Sequence, residues 1–345
     1  MKTYAAFGEI MLRLSPPGRE RLFQSSRLES GFGGAESNVC VSLARFGHPV
    51  RFISLVPANP LGESAAAALC AQGVDTRFIG RQGRRLGIYF AEPGSNQRPS
   101  RVVYDRQGSA VADGAPGDID WARAFSGVDA FHITGITPAL SASAADLTLE
   151  AVRTAKSLKL SVSIDLNYRS KLWGYGRKAP EVMGELAQYA DLILANEEDI
   201  EKALGLNASG GSTRNEGAPL DLRRYEALAA LVMSRFPNVT RVAITLRESL
   251  SADHNCWSAA LGTSDRFLVS RKYDIPNIVD RIGSGDAFAA GLLHGLDVLG
   301  SDQEALEFAA AASCLKHSIP GDFNLVSEKE VFDLLGGDAS GRIQR

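Results

Sequence analysis

The run Asp280-Arg281-Ile282-Gly283-Ser284-Gly285-Asp286 holds the residue types needed to handle an oxyanion. Glycines at 283 and 285 permit a tight turn and leave backbone N–H groups uncovered. The small apolar residues 287–293 read as the start of a helix, so those amides sit at a helix N-terminus, where partial positive charge gathers. Asp286 falls in the first turn, within reach of whatever attacks a group held there. A cradle for an anion beside a carboxylate base is the minimum equipment for moving a phosphoryl group onto a hydroxyl. The plainer reading is a loop whose aspartate caps a helix. Two familiar phosphate templates are missing: Phe288 stands where a dinucleotide fingerprint needs its third glycine, and the chain has no Gly-x4-Gly-Lys-Ser/Thr.

A second glycine pair, Gly33-Gly34, precedes Ala35-Glu36-Ser37-Asn38 and an amphipathic helix that stops at Gly47. It too presents bare backbone ahead of a helix, and Asn38 would face back over the turn. Other polar candidates follow apolar runs. Asp165, Asn167 and Arg169 follow one, Asn196 another, and Thr245 and Arg247 a third.

These residues need a scaffold, and the pattern from residue 128 onward supplies one. Apolar runs at 128–133, 160–166, 190–195 and 240–246 alternate with helical stretches at 142–157, 178–188, 197–204 and 222–236. Strands buried on both faces and separated by helices mean a parallel sheet wrapped by helices. Open parallel sheets bind ligands at the carboxyl ends of their strands, which is where the polar candidates fall. Upstream, residues 5–14 read as one strand with Glu9 near its middle, 50–56 as a buried strand, and 62–73 as an alanine-rich helix. Short exposed strands within 12–32 and a hairpin over 85–90 and 100–104 suggest a small sheet apart from the main body, a lid, with edge strands of the main sheet as the alternative. A helix covers 304–317 and a turn 319–323. Residues 207–219 are expected to be a flexible insertion and 336–345 a frayed end.

Composition narrows the function classes. The chain has 345 residues, which suits one large domain over 1–345. With 45% apolar and 22% charged residues it is an ordinary globular protein. A net charge of -3 gives no reason to expect nucleic acid or an anionic membrane as partner. Cys40, Cys70, Cys256 and Cys314 are far apart and read as reduced core thiols. His132 reads as a core histidine, and the histidines show no metal-ligand grouping. Without a signal-like start or a membrane-length apolar run, the expected compartment is the cytoplasm.

With these residues assembled, the chain resembles sugar kinases of the ribokinase (PfkB) family over nearly its whole length. Residues 33–47 match the family's first signature and 280–291 its second, in the right order. The resemblance implies a three-layer α/β/α sandwich with a mostly parallel central sheet and a small β-sheet lid, using ATP and Mg²⁺. Within the family it is most similar to kinases of 2-keto-3-deoxygluconate. Tyr104-Asp105-Arg106-Gln107-Gly108-Ser109-Ala110 is similar to their Tyr-Tyr-Arg-x-Gly-Ser-Ala, with Asp105 replacing the second Tyr. Asp165-Leu166-Asn167-Tyr168-Arg169 and Pro320-Gly321-Asp322 also match. A keto-acid sugar carries a carboxylate, and arginine suits bidentate capture of one. Arg106 and Arg169 would converge on it, with Tyr89 and Tyr104 covering the apolar faces.

The implied roles follow. Asp286, with an ordinary carboxylate pKa of about 3.9, takes the proton of the sugar's primary hydroxyl. The amides of Gly283, Ser284 and Gly285 hold the transferring group. Gly34 and Asn38 bind sugar hydroxyls, and Asp322 contacts substrate. Asn167, Asn196, Thr245 and Arg247 serve the nucleotide. Asn196-Glu197-Glu198-Asp199 stands for the family's Asn-x-x-Glu, so Asp199 would meet the metal through water. The lid could also carry a homo-oligomer contact. Two departures are plain: Arg281 replaces the usual Thr, and no glycines follow Thr245. The rivals are another sugar kinase of the family, for fructose, ribose or 5-keto-2-deoxygluconate, and a catalytically silent sugar-binding regulator.

Overall fold

The computed structural model describes residues 1–207 and 221–337. The opening run is two strands rather than one: β1 (Tyr4–Phe7) and β2 (Met11–Ser15), separated by Gly8-Glu9-Ile10. The break is steric as well as topological, because a Cβ at Gly8 would lie 2.1 Å from Glu36 Oε2. There the backbone passes from one sheet to another.

Next come β3 (Glu29–Gly33), α1 (Ala35–Arg45), β4 (Val50–Val56), α2 (Pro60–Cys70), β5 (Ile79–Arg81) and the hairpin of β6 (Gly87–Glu92) and β7 (Arg101–Asp105). After the short α3 (Trp121–Ala124), strands and helices alternate as expected: β8 (Ala130–Thr134), α4 (Ala142–Ser157), β9 (Ser161–Asp165), α5 (Ala179–Ala187), β10 (Leu192–Ala195), α6 (Glu197–Leu204), α7 (Leu222–Arg235) and β11 (Arg241–Ser251). Two of the helix starts illustrate the local cause. Ser141 caps α4 by accepting from the Ala144 amide, and Asn196 and Asp199 form a reciprocal capping box on α6.

The central sheet runs β13-β12-β11-β10-β9-β8-β1-β4-β5, and every pairing from β11 to β5 is parallel. Its far edge was not legible in the sequence. β12 (His254–Thr263), β13 (Phe267–Val269) and β14 (Tyr273–Pro276) pair antiparallel. After Thr245, where the chain carries no glycines, β11 continues, with Arg247 opposite Trp257, and turns into β12. The polar run Arg247-Glu248-Ser249 hides a strand half-exposed at the sheet's rim.

The chain closes with α8 (Ser284–Val298), α9 (Asp302–Lys316) and α10 (Glu328–Leu335). One core packs α1, α2, α8, α9 and α10 on one sheet face; the other packs α3 to α7 on the opposite face. This is the three-layer α/β/α arrangement with a mostly parallel sheet. Helices α8 and α9 approach closely because Gly291 and Gly295 face Ala309 and Ala305; a Cβ at either glycine would lie within 2.8 Å of a Cα.

The remaining strands form a separate four-stranded sheet, β3-β2-β6-β7. None of them pairs with the central sheet, which excludes the edge-strand alternative. Of the insertion expected over 207–219, residues from 208 on lie outside the described residues, as do 338–345 of the expected frayed end. The four cysteines are free thiols, but only Cys40 is buried. Among the described residues no helix is long and apolar enough to cross a membrane.

Candidate active site

Gly283 is the N-cap of α8 and takes a φ of 84°, a left-handed conformation that glycine adopts without strain. A Cβ there would lie 2.2 Å from the Asp322 carbonyl oxygen. The turn thus requires glycine twice over, for its dihedral and for close backbone approach. Among the described residues no acceptor lies on the N–H of Gly283, Gly285 or Asp286, and space beside Gly285 is open. Ser284 differs from expectation. Its amide and hydroxyl both turn to the Arg281 carbonyl, at 3.4 and 2.9 Å, so it braces the turn. The amides left for an anion are those of Gly283, Gly285 and Asp286.

The Asp286 carboxylate is oriented from the first half of the chain. Asn38, buried on α1, donates its side-chain amide to Asp286 Oδ2 at 2.7 Å while its Oδ1 accepts from the Gly34 amide. The side-chain amide expected on sugar hydroxyls thus also holds the base, with Asp322 Oδ2 at 3.5 Å. Burial pushes the Asp286 carboxyl up to about 6; the Asn38 bond, Arg169 and Lys316 pull against that, and Asp322 reinforces it. The ordinary pKa expected from sequence does not hold here.

Asp322 is buried and enclosed. It accepts from the Tyr89 hydroxyl and from Arg13 at 2.8 Å. Arg13 donates with its other terminal nitrogen to Asp280 at 2.6 Å, and Asp280 also accepts from the amides of Ile282 and Gly321. One arginine of the small sheet thereby ties together both segments that meet at Gly283. Sequence reasoning missed it, and the only available signal was a lone charge in the apolar strand Met11-Leu12-Arg13-Leu14.

In the same cleft lining, Arg106 pairs with Glu9, which also accepts from Ser109. The arginine expected to grip a substrate carboxylate already has a buried carboxylate partner. Tyr89 and Tyr104 lie with ring centroids 5.8 Å apart, Tyr89 buried and Tyr104 exposed. Arg169 is exposed and donates to the Tyr168 carbonyl. Glu36, buried beneath, accepts from the Thr134 amide and the hydroxyls of Thr134 and Thr137; its burial pushes its carboxyl up to about 7.

At the strand ends, Asn167 has a φ of 35° and donates its backbone N–H to the Asp165 carboxylate at 3.2 Å. The Asn196 side chain caps α6 through the Asp199 amide, and Asp199 accepts from the amides of Asn196 and Tyr168. Both Asp199 oxygens face backbone, and no group of three or more candidate ligands that could hold a metal occurs among the described residues. This donor set fits Mg²⁺ only as an ion carried mainly by phosphate oxygens and water, with a carboxylate such as Asp199 reached through water. Thr245 and Arg247 lie on β11 within the β11–β12 hairpin, opposite Ala259 and Trp257.

All sixteen residues singled out from the sequence line one cleft of about 1080 Å³, between the small sheet and the carboxyl ends of the central strands: Gly34, Asn38, Tyr89, Tyr104, Arg106, Asn167, Arg169, Asn196, Asp199, Thr245, Arg247, Gly283, Ser284, Gly285, Asp286 and Asp322. Glu9 and Glu36 line it as well. The amides without an acceptor and Asp286 belong to this same lining.

Known proteins match this chain along its length. The family model of the pfkB family carbohydrate kinases matches residues 1–228 and 265–326. The 2-dehydro-3-deoxygalactonokinase of Haloferax volcanii is 34% identical over 334 residues, covering 96% of both chains. The crystal structure of 2-dehydro-3-deoxygluconokinase from Thermotoga maritima superposes with a TM-score of 0.91 at 43% identity, covering 97% of this chain and 98% of that one. A fructokinase with bound ATP from Xylella fastidiosa shares the fold, with a TM-score of 0.77 at 20% identity over 97% of this chain and 98% of that one.

Proposed function

The chain belongs to the pfkB family of carbohydrate kinases, and we propose that it transfers the γ-phosphoryl group of ATP to the primary hydroxyl of a 2-keto-3-deoxy sugar acid, 2-keto-3-deoxygluconate giving its 6-phosphate. The observation that carries this reading is the pairing of three acceptor-free amides with an oriented carboxylate, Asp286, in the lining of one cleft.

Asp286 Oδ accepts the hydroxyl proton as the sugar oxygen forms its bond to phosphorus and the bond to the ADP oxygen breaks. The amides of Gly283, Gly285 and Asp286 take up the charge on the transferring oxygens; one such donor is worth ~10²–10³ in rate. Asn38 fixes which Asp286 oxygen faces the substrate. Mg²⁺, when bound with the nucleotide, would neutralise phosphate charge, with Asp199 the carboxylate that reaches it through water. Arg247 and Thr245 belong to the hairpin wall where the nucleotide would lie.

The acid-sugar reading rests on Arg169, on Arg106 and on the two relatives named for such substrates. The Glu9–Arg106 pair favours a second reading within it. With one arginine already neutralised, the site could discriminate on hydroxyl geometry, and the galactonate epimer becomes a rival substrate. Turnover measured by ATP consumption across 2-keto-3-deoxygluconate, its galactonate epimer, fructose and ribose decides. The highest kcat/KM is expected on a keto-deoxy acid, with Arg106→Lys and Arg169→Lys each raising KM for the acid about tenfold. A neutral sugar that outperforms both acids sinks the reading. For assembly we favour a homo-oligomer through the small sheet, whose edge strand β7 exposes Val102, Val103 and Tyr104; a monomer by light scattering would exclude it.

A further inference from the structure

Lys316, the last residue of α9, is completely buried. It belongs to no motif discussed above, and a lysine without solvent is rare unless something holds its charge. Its Nζ donates to the Ile319 carbonyl at 3.0 Å. Its stem runs directly beneath the phosphoryl cradle: a Cβ on Gly283 would meet Lys316 Cε at 3.3 Å. Burial pulls its proton affinity down, while Asp280, Asp322 and Asp286 raise it and Arg13 opposes them.

Counting fixed charges around the turn shows what this ammonium does. Asp280 and Asp322 are both held by Arg13. Arg281 also faces Asp280 but spends its guanidinium on the Ser251 and Ala252 carbonyls, so two carboxylates against one bonded guanidinium leave a surplus negative charge next to the amides meant to receive phosphate. Lys316 balances it. Asp286 is then the one carboxylate of the three without a buried cation of its own, faced from elsewhere by Asn38 on α1, by Arg169 after β9 and by Asp165 at the end of β9.

We propose that Lys316 is a positioning residue for phosphoryl transfer, a built-in positive charge behind the Gly283 turn that offsets Asp280 and Asp322 and so lets Asp286 work as a base beside an anion. The proposal rests on the kinase reading for its purpose, but it makes a claim about Asp286 that needs no substrate. A lysine with a merely structural role would serve through its hydrogen bond to Ile319, closing the end of α9.

Two variants separate these roles. Lys316→Met keeps the linear stem and loses both the charge and the donor; Lys316→Gln keeps a donor for the Ile319 carbonyl and loses only the charge. The Asp286 carboxyl is titrated by NMR on protein carrying ¹³C-labelled aspartate, assigned by difference from Asp286→Asn, and the pH profile of kcat is recorded beside it. In both variants the Asp286 titration and the acid limb of kcat should move up by about one pH unit. Turnover at pH 7 should fall roughly tenfold. A wild-type titration in Lys316→Gln would overturn the proposal and leave the hydrogen bond as the whole role. Failure of both variants to fold would also overturn it, since the lysine would then be a structural ion. Absence of turnover by wild-type protein on every sugar tested would instead strike the kinase reading, while the carboxyl titration would still decide the charge claim.

Discussion

The Asn38 side-chain amide donates to Asp286 Oδ2 at 2.7 Å, joining residues 248 positions apart in sequence. The helix after the first glycine pair thus aims the carboxylate in the first turn of the helix after the second glycine turn. Asp286→Asn should lower kcat by ~10²–10⁴ with the fold intact by circular dichroism. Asn38→Ala should cost roughly 10–100-fold through loss of aim. A fully active Asp286→Asn enzyme would remove Asp286 from its role.

The two cleft carboxyls, Asp286 and Glu36, predict opposite responses of rate and stability to pH. Asp286 must be ionised to act, so kcat should rise through about pH 6 and then level off. Folding behaves the other way. Asp286 goes from 3.8 to about 6 and Glu36 from 4.5 to about 7 on burial, so the folded state binds these protons more tightly than the unfolded chain. Their stabilising contribution is full below pH ~4 and is lost as pH rises through 6 and 7. Asp286→Asn should therefore be more stable than wild type at pH 7.5, by on the order of 1–3 kcal/mol, and the gain should vanish near pH 4. Chemical denaturation at both pH values checks the sign.

Arg13 bridges Asp280 and Asp322 with little exposure on any partner. Removing it leaves only Lys316 to offset two carboxylates that have little exposure, so Arg13→Met should destabilise by about 3–5 kcal/mol. Arg153 pairs with Glu185 at a similar 2.8 Å, but both side chains are half in solvent. Arg153→Met should cost less than about 1 kcal/mol. Equal losses in urea unfolding would refute the distinction.

The two glycines of the cradle should fail differently. Gly283→Ala puts a methyl 2.2 Å from the Asp322 carbonyl at a positive φ, so both stability and turnover should drop. Gly285 lies in the first turn of α8 with open space before it. Gly285→Ala should leave stability unchanged or raise it by up to ~1 kcal/mol. The methyl enters the cleft, however, and KM for ATP should rise about tenfold. Thermal melts and steady-state kinetics on both variants tell them apart.

By itself the sequence was enough for the parallel, helix-wrapped sheet from β8 to β11, because continuous apolar runs alternating with amphipathic stretches have few other ways to bury themselves. It was also enough to place the helix start at Gly283-Ser284-Gly285-Asp286, since glycine spacing and a following apolar helix are local signals. The antiparallel rim of β12 to β14 escaped it: Arg247 to Ser251 are paired along a half-exposed edge, where no periodicity is enforced. What only tertiary structure decided is which polar group faces which. Asn38 meets Asp286, Glu9 takes Arg106, Arg13 gathers Asp280 with Asp322, and Lys316 lies under Gly283. Each pairing spans dozens to hundreds of residues. Composition can say that a buried charge needs a counter-charge, but the choice of partner belongs to the packing of sheets and helices, which sets the distance over which that charge is felt.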